Sequence, residues 1–388
     1  MRERGNGGVA RISAVLLLHA LLNLPAAVGQ PFVSEPPPDI IQSRQIVFKH
    51  ALQVVAPSIV RIDTIGGAQP VHGEMDAMQN QRVTAGFRQA DGPTTGVVWS
   101  ADGYILTSSF NFVRDPVVIT VTLADGRKFV AKLVARDYPA RLALLKIDAT
   151  DLTTPAWLDP GEIRPGQWTL AAGWGFGGAE PALTVGIVSA LRRMNARAVQ
   201  TDAKISPANY GGPLFDVEGR VLGVCVPLGM DEDEMAGVEW YDSGIGFAVR
   251  RDFLEPRVTR LMQGIDLRRG VLGISLDVRE PVVSAAPDSQ PASGDLPEPG
   301  LQVHGQTLGP AAAAGLQEND IILAIDGVPT PSLLAFRRTM AQKAAGDEIE
   351  LTCRRGDERR SVRVRLASAE EFQAAPEEES RPVPTSQP

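Results

Sequence analysis

Thr201-Asp202-Ala203-Lys204-Ile205-Ser206-Pro207-Ala208-Asn209-Tyr210-Gly211-Gly212-Pro213-Leu214 is the stretch on which the reading of this chain turns. Its second half is a turn of small residues with one large side chain, Tyr210, at its centre. Short β-type runs lie on both sides: Trp168–Ala172 and Leu183–Leu191 before it, Val221–Val226 and Ile245–Val249 after it. Further runs precede these at Ser58–Asp63, Thr95–Trp99, Tyr104–Ser108, Val117–Leu123, Lys128–Arg136 and Leu142–Ile147, punctuated by turns such as Asp102-Gly103 and Asp125-Gly126. Many short strands with Gly, Asp and Pro turns over about 200 residues predict an all-β sandwich or a pair of barrels rather than an α/β fold. Helical spacing flanks this region at Ile41–Val55, ended by Pro57, and at Asp252–Met262.

The chain has 388 residues and 44% apolar content, enough for two or three domains with real cores. A formal charge of −8 with no basic block argues against a nucleic-acid surface. Arg2, Arg4 and Arg11 followed by the apolar run Ile12–Leu24 and the small residues Ala27-Val28-Gly29 read as an export signal over residues 1–29, with an uncleaved anchor as the alternative. An extended linker is expected over 30–44, a first domain over 45–263, a second over 266–367 and a disordered acidic tail over 368–388. Gly66 to Asp91 lacks apolar periodicity and reads as a long loop, either functional or disordered. Cys225 and Cys353 sit in apolar strand-like runs of different domains and read as buried free thiols, with an interdomain bridge as the alternative. No paired His/Cys spacing supports a metal, Asp231-Glu232-Asp233-Glu234 reads as a solvated charge run, and no cofactor is implied.

Three motifs in order resemble the HtrA family of trypsin-like serine proteases: Asp102-Gly103-Tyr104-Ile105-Leu106-Thr107, Leu142-Ala143-Leu144-Leu145-Lys146-Ile147-Asp148, and Asn209-Tyr210-Gly211-Gly212-Pro213-Leu214. The resemblance implies an all-β, chymotrypsin-like double barrel. It also implies where a catalytic triad would stand. The histidine position carries Phe110 (a register slip of one gives Asn111), the aspartate position Arg141 and the serine position Tyr210. A phenyl ring cannot take a proton from a nucleophile, a guanidinium has the wrong sign to orient a base, and a phenol with a pKa of about 10 stays un-ionised without one. A Ser206/Lys204 dyad is the alternative that can be written from the residues present; nothing in the sequence desolvates Lys204. Gly173-Trp174-Gly175-Phe176-Gly177-Gly178 lacks the Lys-Ser/Thr of a phosphate loop and reads as a structural turn beside a groove.

Residues 266–367 resemble a PDZ domain of the HtrA type, a smaller α+β unit, through Gly270-Val271-Leu272-Gly273-Ile274, Gly315-Leu316 through Asp320-Ile321-Ile322, and Ile325-Asp326-Gly327. The resemblance makes the first of these a loop whose N–H groups take a peptide carboxylate, the peptide then adding as a strand. Val271, Leu272, Gly273, Ile274 and Leu276, with Leu333 and Phe336 of a helix over Ser332–Lys343, are the expected contact residues; the Pro281–Pro299 insertion departs from a minimal domain of this kind. The expected protein is an exported pseudoprotease that binds peptide C-termini or unfolded chains, or pairs with an active relative, with a family-type trimer as the expected assembly. The alternatives are an endopeptidase with an altered site and an envelope protein tethered through its PDZ domain.

Overall fold

The structure, a computed structural model, describes residues 38–66, 93–112, 115–175, 180–229, 241–276 and 300–374. The calls made for 1–37, for the loop after Gly66, for the acidic run and for the Pro281–Pro299 insertion lie outside the described residues. Helix α1 (Pro38–Val55) starts before the periodicity does. Pro38 stands at its first position, where a missing N–H costs nothing, and Asp39 lies in the first turn. Residues 38–44 are therefore helix, not extended linker. Among the described residues no helix is long and apolar enough to cross a membrane.

Of the two topologies left open, the chain adopts the pair of barrels. Strands β1 (Ile59–Ile65), β2 (Thr94–Val98), β3 (Tyr104–Ser108), β4 (Val118–Thr122), β5 (Lys128–Asp137) and β6 (Leu142–Lys146) close in the order 1-2-3-6-5-4. Strands β7 (Trp168–Gly173), β8 (Ala182–Arg192), β9 (Ala198–Thr201), β10 (Pro213–Phe215), β11 (Val221–Cys225) and β12 (Gly246–Arg250) close in the order 10-11-12-9-8-7. All pairings are antiparallel and no sheet edge is left open, the solution a barrel offers to the edge problem. Strands β9 and β10 carry no periodic signal of their own: β9 follows a tight stretch with left-handed Arg192, Met194, Asn195 and Ala196, and β10 is three residues long. Each barrel fills with its inward apolar side chains, Ile62, Val121 and Leu145 in the first, Val188, Leu214 and Ala248 in the second.

Helix α2 (Arg251–Met262) packs Phe253, Leu254, Val258 and Leu261 into the seam between the barrels. Arg257 on the same face reaches Asp137 at the end of β5. The two side chains are 5% and 0% exposed, Nη2 lies 3.0 Å from Oδ1, and Oδ1 also accepts from the Ala140 N–H at 3.0 Å. Leu267, just past α2, then pairs with Arg136 and Tyr138 through its backbone and hands the chain to the second domain.

That domain is a six-stranded sheet with two helices. Strands β13 (Ser275–Leu276), β14 (Leu301–His304), β15 (Ile321–Ile325), β17 (Glu348–Arg355) and β18 (Glu358–Arg365) follow one another across it, and β16 (Val328–Pro329) pairs with β15. Helices α3 (Gly309–Ala313) and α4 (Leu333–Met340) accompany it; Ser332 caps α4 by accepting the Ala335 N–H. β18 exposes Arg359, Arg363 and Arg365, in register with Arg354, Glu350 and Glu348 of β17. The segment expected to be a disordered tail from residue 368 instead opens with a further helix, α5 (Ala369–Ala374). Ser368 Oγ accepts the Glu371 N–H while Glu371 accepts the Ser368 N–H, a reciprocal cap that the composition of the segment hides. Cys225 and Cys353 are both free and buried; burial pushes the Cys225 thiol up to about 12.

Two stability measurements follow from the ion pairs. Arg257→Met strands a fully buried carboxylate and should cost about 3–5 kcal/mol in denaturant unfolding, whereas removing the half-exposed Arg61–Asp63 pair should cost at most about 1 kcal/mol. In the second domain, burial pushes the Asp320 carboxyl up, but hydrogen bonds from Arg355 and the Gln317 N–H, with the Arg355 charge, outweigh it and hold the carboxyl below its usual range. A depressed folded pKa gives stability that is complete above the unfolded value of about 3.9 and is lost as pH falls through the folded one. Unfolding of the wild type followed below about pH 4 should show that loss, and Asp320→Asn should flatten it while costing about 1–3 kcal/mol at neutral pH.

Candidate functional site

The 3₁₀ turn Ser109–Phe112 follows β3, and the loop Ser206–Gly212 precedes β10; the two meet between the barrels. Their contact rests on a short hydrogen-bond chain. Thr107 Oγ1 donates to Thr95 O at 2.6 Å, and Asn111 Nδ2 donates to Thr107 Oγ1 at 2.9 Å and to Tyr210 O at 3.3 Å. Thr95 Oγ1 donates to Ala208 O at 2.8 Å and accepts from the Trp174 N–H at 2.6 Å. Gly211 is indispensable to this approach. Its φ is +87°, and a Cβ there would stand 2.3 Å from both Thr107 Oγ1 and Thr95 O.

Within this frame Phe110 and Tyr210 touch. Their ring centroids are 5.4 Å apart at 75°, an edge-to-face pair, and Tyr241 continues the ladder at 6.2 Å and 72°. Phe110 is 1% and Tyr210 3% exposed, and both belong to the core cluster of the second barrel with Ile205, Leu214 and Cys225. Arg141, at the start of β6 with φ +57°, joins them through its carbonyl, which accepts the Ser109 N–H at 2.9 Å and Ser108 Oγ at 3.0 Å. The sequence therefore locates Phe110 and Tyr210 in one place. It gives no sign of Tyr241, the third ring, or of Asn111 as the polar hub, because neither lies at a motif position that demands it.

The chemistry open to this arrangement is narrow. Phe110 offers no lone pair to accept a proton, and it meets Tyr210 ring to ring. Four N–H groups of the loop are engaged internally: Asn209 to Ser206 O, Tyr210 to Pro207 O, Gly211 to Cys225 O and Gly212 to Asn209 O. Lys204 is exposed and Ser206 Oγ lies 3.5 Å from Asn209 Oδ1, so that pair lacks the burial that would activate a lysine. His50 and His304, the histidines among the described residues, are exposed on α1 and β14. Among the described residues no three His, Cys, Asp or Glu side chains converge as a metal site.

In the second domain, Val271 pairs with Ala367 in both directions, its N–H donating at 2.8 Å. Leu272 O accepts the Ala311 N–H and Gly273 O accepts the Leu308 N–H, at 3.0 and 2.8 Å. Gly273 has φ +85°, and a Cβ there would meet Leu308 O at 2.1 Å. The N–H groups of Leu272, Gly273 and Ile274 have no acceptor among the described residues. Strand β13, which follows directly, ends the sheet and has one edge unpaired among the described residues. Of the expected contact residues, Leu272 (5% exposed) and Phe336 (8%) turn into the core of the domain. Ile274, Leu276 and Leu333 remain half-buried against it, which leaves them as the apolar surface beside the loop and the open edge.

Residues 94–224 match the trypsin-like peptidase domain family and residues 270–366 the PDZ domain family. A probable periplasmic serine endoprotease, DegP-like, of Halomonas elongata is 34% identical over 275 residues, covering 70% of this chain and 55% of the relative. A second of that description, from Chlamydia muridarum, is 32% identical over 288 residues, covering 73% and 54%. The chain thus spans about half the length of these curated relatives. Among solved structures, the HtrA-type protease AlgW with tripeptide superposes at a TM-score of 0.60 with 26% identity, covering 82% of this chain and 96% of that one. The serine endoprotease from Yersinia pestis gives 0.56 and 26%, covering 83% and 97%.

The ring ladder makes its own prediction. Tyr210→Ala should empty a packed site and cost about 3–5 kcal/mol in equilibrium unfolding, whereas Tyr210→Phe should keep the packing and most of the stability.

Proposed function

This chain is HtrA/DegP-like, a trypsin-like double barrel joined to a PDZ domain, and from that premise we propose that it is an exported pseudoprotease that binds peptide C-termini or unfolded chains without cutting them. The observation that carries the reading is the Phe110–Tyr210 contact: an apolar ring and a buried phenol packed edge to face where a base and a nucleophile would need to exchange a proton. Arg141, at the position of an orienting carboxylate, agrees with it. Losing a serine-protease triad as a unit costs about 10⁶ in rate.

Binding falls to the PDZ domain. The unpaired N–H groups of Leu272, Gly273 and Ile274 suit a peptide carboxylate, and the open edge of β13 suits the extended residues before it, with Ile274, Leu276 and Leu333 offering apolar contact. AlgW, the HtrA-type protease of the solved complexes, is seen with a tripeptide and with a decapeptide, which supports a peptide as the class of ligand here. The names of the relatives, periplasmic serine endoproteases, support an exported setting, and a chaperone-like or regulatory role in envelope protein quality control is the role we assign to the chain there. They also keep a second reading in play, an endopeptidase using other chemistry.

Incubating the purified chain with an unfolded protein distinguishes the two. No cleavage is expected from the unaltered chain, from Tyr210→Phe or from Tyr210→Ser, since the serine alone would lack a base. Cleavage by the unaltered chain that vanishes in Tyr210→Phe would sink the pseudoprotease reading. For the PDZ domain, labelled peptides with a free C-terminal carboxylate should bind and their amidated versions should not, and Gly273→Val should abolish binding by closing the loop against Leu308 O.

A further inference from the structure

Helix α5 stands on the loop to which the PDZ reading assigns the ligand carboxylate. Phe372, half-buried, sets its ring against two glycines. A Cβ on Gly273 would come 2.9 Å from Phe372 Cε2, and one on Gly309 would come 2.8 Å from the same atom. The segment leading into the helix is held to the loop itself. Val271 N–H donates to Ala367 O at 2.8 Å and Ala367 N–H donates back to Val271 O at 3.2 Å. The reciprocal cap between Ser368 and Glu371 then starts the helix, and Glu370 pairs with Arg268 just ahead of the loop. These contacts fix α5 from both sides of Val271–Ile274, the segment whose last three N–H groups have no acceptor among the described residues.

We propose that α5 is a cap acting within the chain: Phe372 occupies the approach to the Gly273 loop, and a peptide C-terminus binds by displacing it. The proposal rests on the peptide-binding reading of the PDZ domain. α5 is suited to leave. It has six residues, fewer than an isolated helix needs to hold itself together, and its neighbours of Phe372 along the helix face solvent. The ion pair to Arg268 joins two side chains that are 66% and 43% exposed, so water replaces it readily. A cap closed most of the time lowers the apparent affinity for a ligand by the fraction of time it is open. An incoming peptide would thereby free the residues after Leu366, so occupancy of the groove would be reported at the C-terminus.

The test uses the full chain, the Phe372→Ala variant and a chain ending at Ala367. The probes are labelled decapeptides with the last three positions varied among apolar residues, each as free acid and as amide, read by fluorescence polarisation. Amide hydrogen exchange at Leu272–Ile274 is followed in parallel without peptide. Free-acid peptides should bind both altered chains about tenfold more tightly than the unaltered one, amides should bind none, and the three amides should exchange faster once the cap is gone. Free-acid binding that is equal or weaker in Phe372→Ala, or unchanged exchange at the loop, overturns the cap and leaves the groove reading standing. If no free-acid peptide binds any of the three chains, the groove reading falls and the competition falls with it.

Discussion

Thr95 Oγ1 donates to the Ala208 carbonyl and accepts the Trp174 N–H, and through these two bonds one strand of the first barrel sets two turns of the second. Everything at the centre of the molecule is arranged around that tie. Gly211 and Gly212 are there because a Cβ at either would strike Thr95 or its neighbours. With the loop drawn in so closely, Tyr210 has an interior position and an aromatic neighbour, and its backbone carbonyl is met by Asn111 from the first barrel. A trypsin-like active site depends on the same closeness, because proton transfer needs the base within hydrogen-bond reach of the nucleophile. In this chain the closeness is retained, and the rings of Phe110 and Tyr210 fill it by packing edge to face.

Much of this was legible in the sequence, for physical reasons that differ from part to part. The barrels announced themselves through alternation and Gly/Asp turns, since a strand packed on one face must repeat with period two. The meeting of Phe110 with Tyr210 was legible through the HtrA resemblance, which puts both on turns that a double barrel brings together. Sandwich and barrel pair were not separable, because closure depends on which strands pair at long range and leaves no mark on any single strand. β9 and β10 stayed hidden because short strands next to left-handed residues have too few positions to show a period. Tyr241 and Phe372 stayed hidden because each gains its role from a contact far away in sequence. The acidic composition after Ser368 pointed to disorder, and a two-residue capping arrangement outweighed it locally.

Leu272 and Phe336 show a related limit. Alternation and helical spacing identify apolar positions, but whether such a residue lines a groove or fills the core beneath it depends on where the sheet ends. Here the sheet ends at β13, and the boundary between surface and core runs between Leu272 and Ile274, two residues apart on the same loop. The buried ion pair of Asp137 with Arg257 marks another boundary, at the seam where α2 leaves the barrels and Leu267 carries the chain onward.

The two margins of the PDZ sheet are not equivalent. β13 contributes two residues and no charge to its margin, while β18 runs eight residues along the other with Arg359, Arg363 and Arg365 standing outward. Two copies of β18 brought side by side would set guanidinium against guanidinium, and their repulsion would oppose the chance pairing that a long bare margin invites. The arginines thus make the two margins unlike in what they oppose: the long side turns away copies of itself, and the short side carries no such charge.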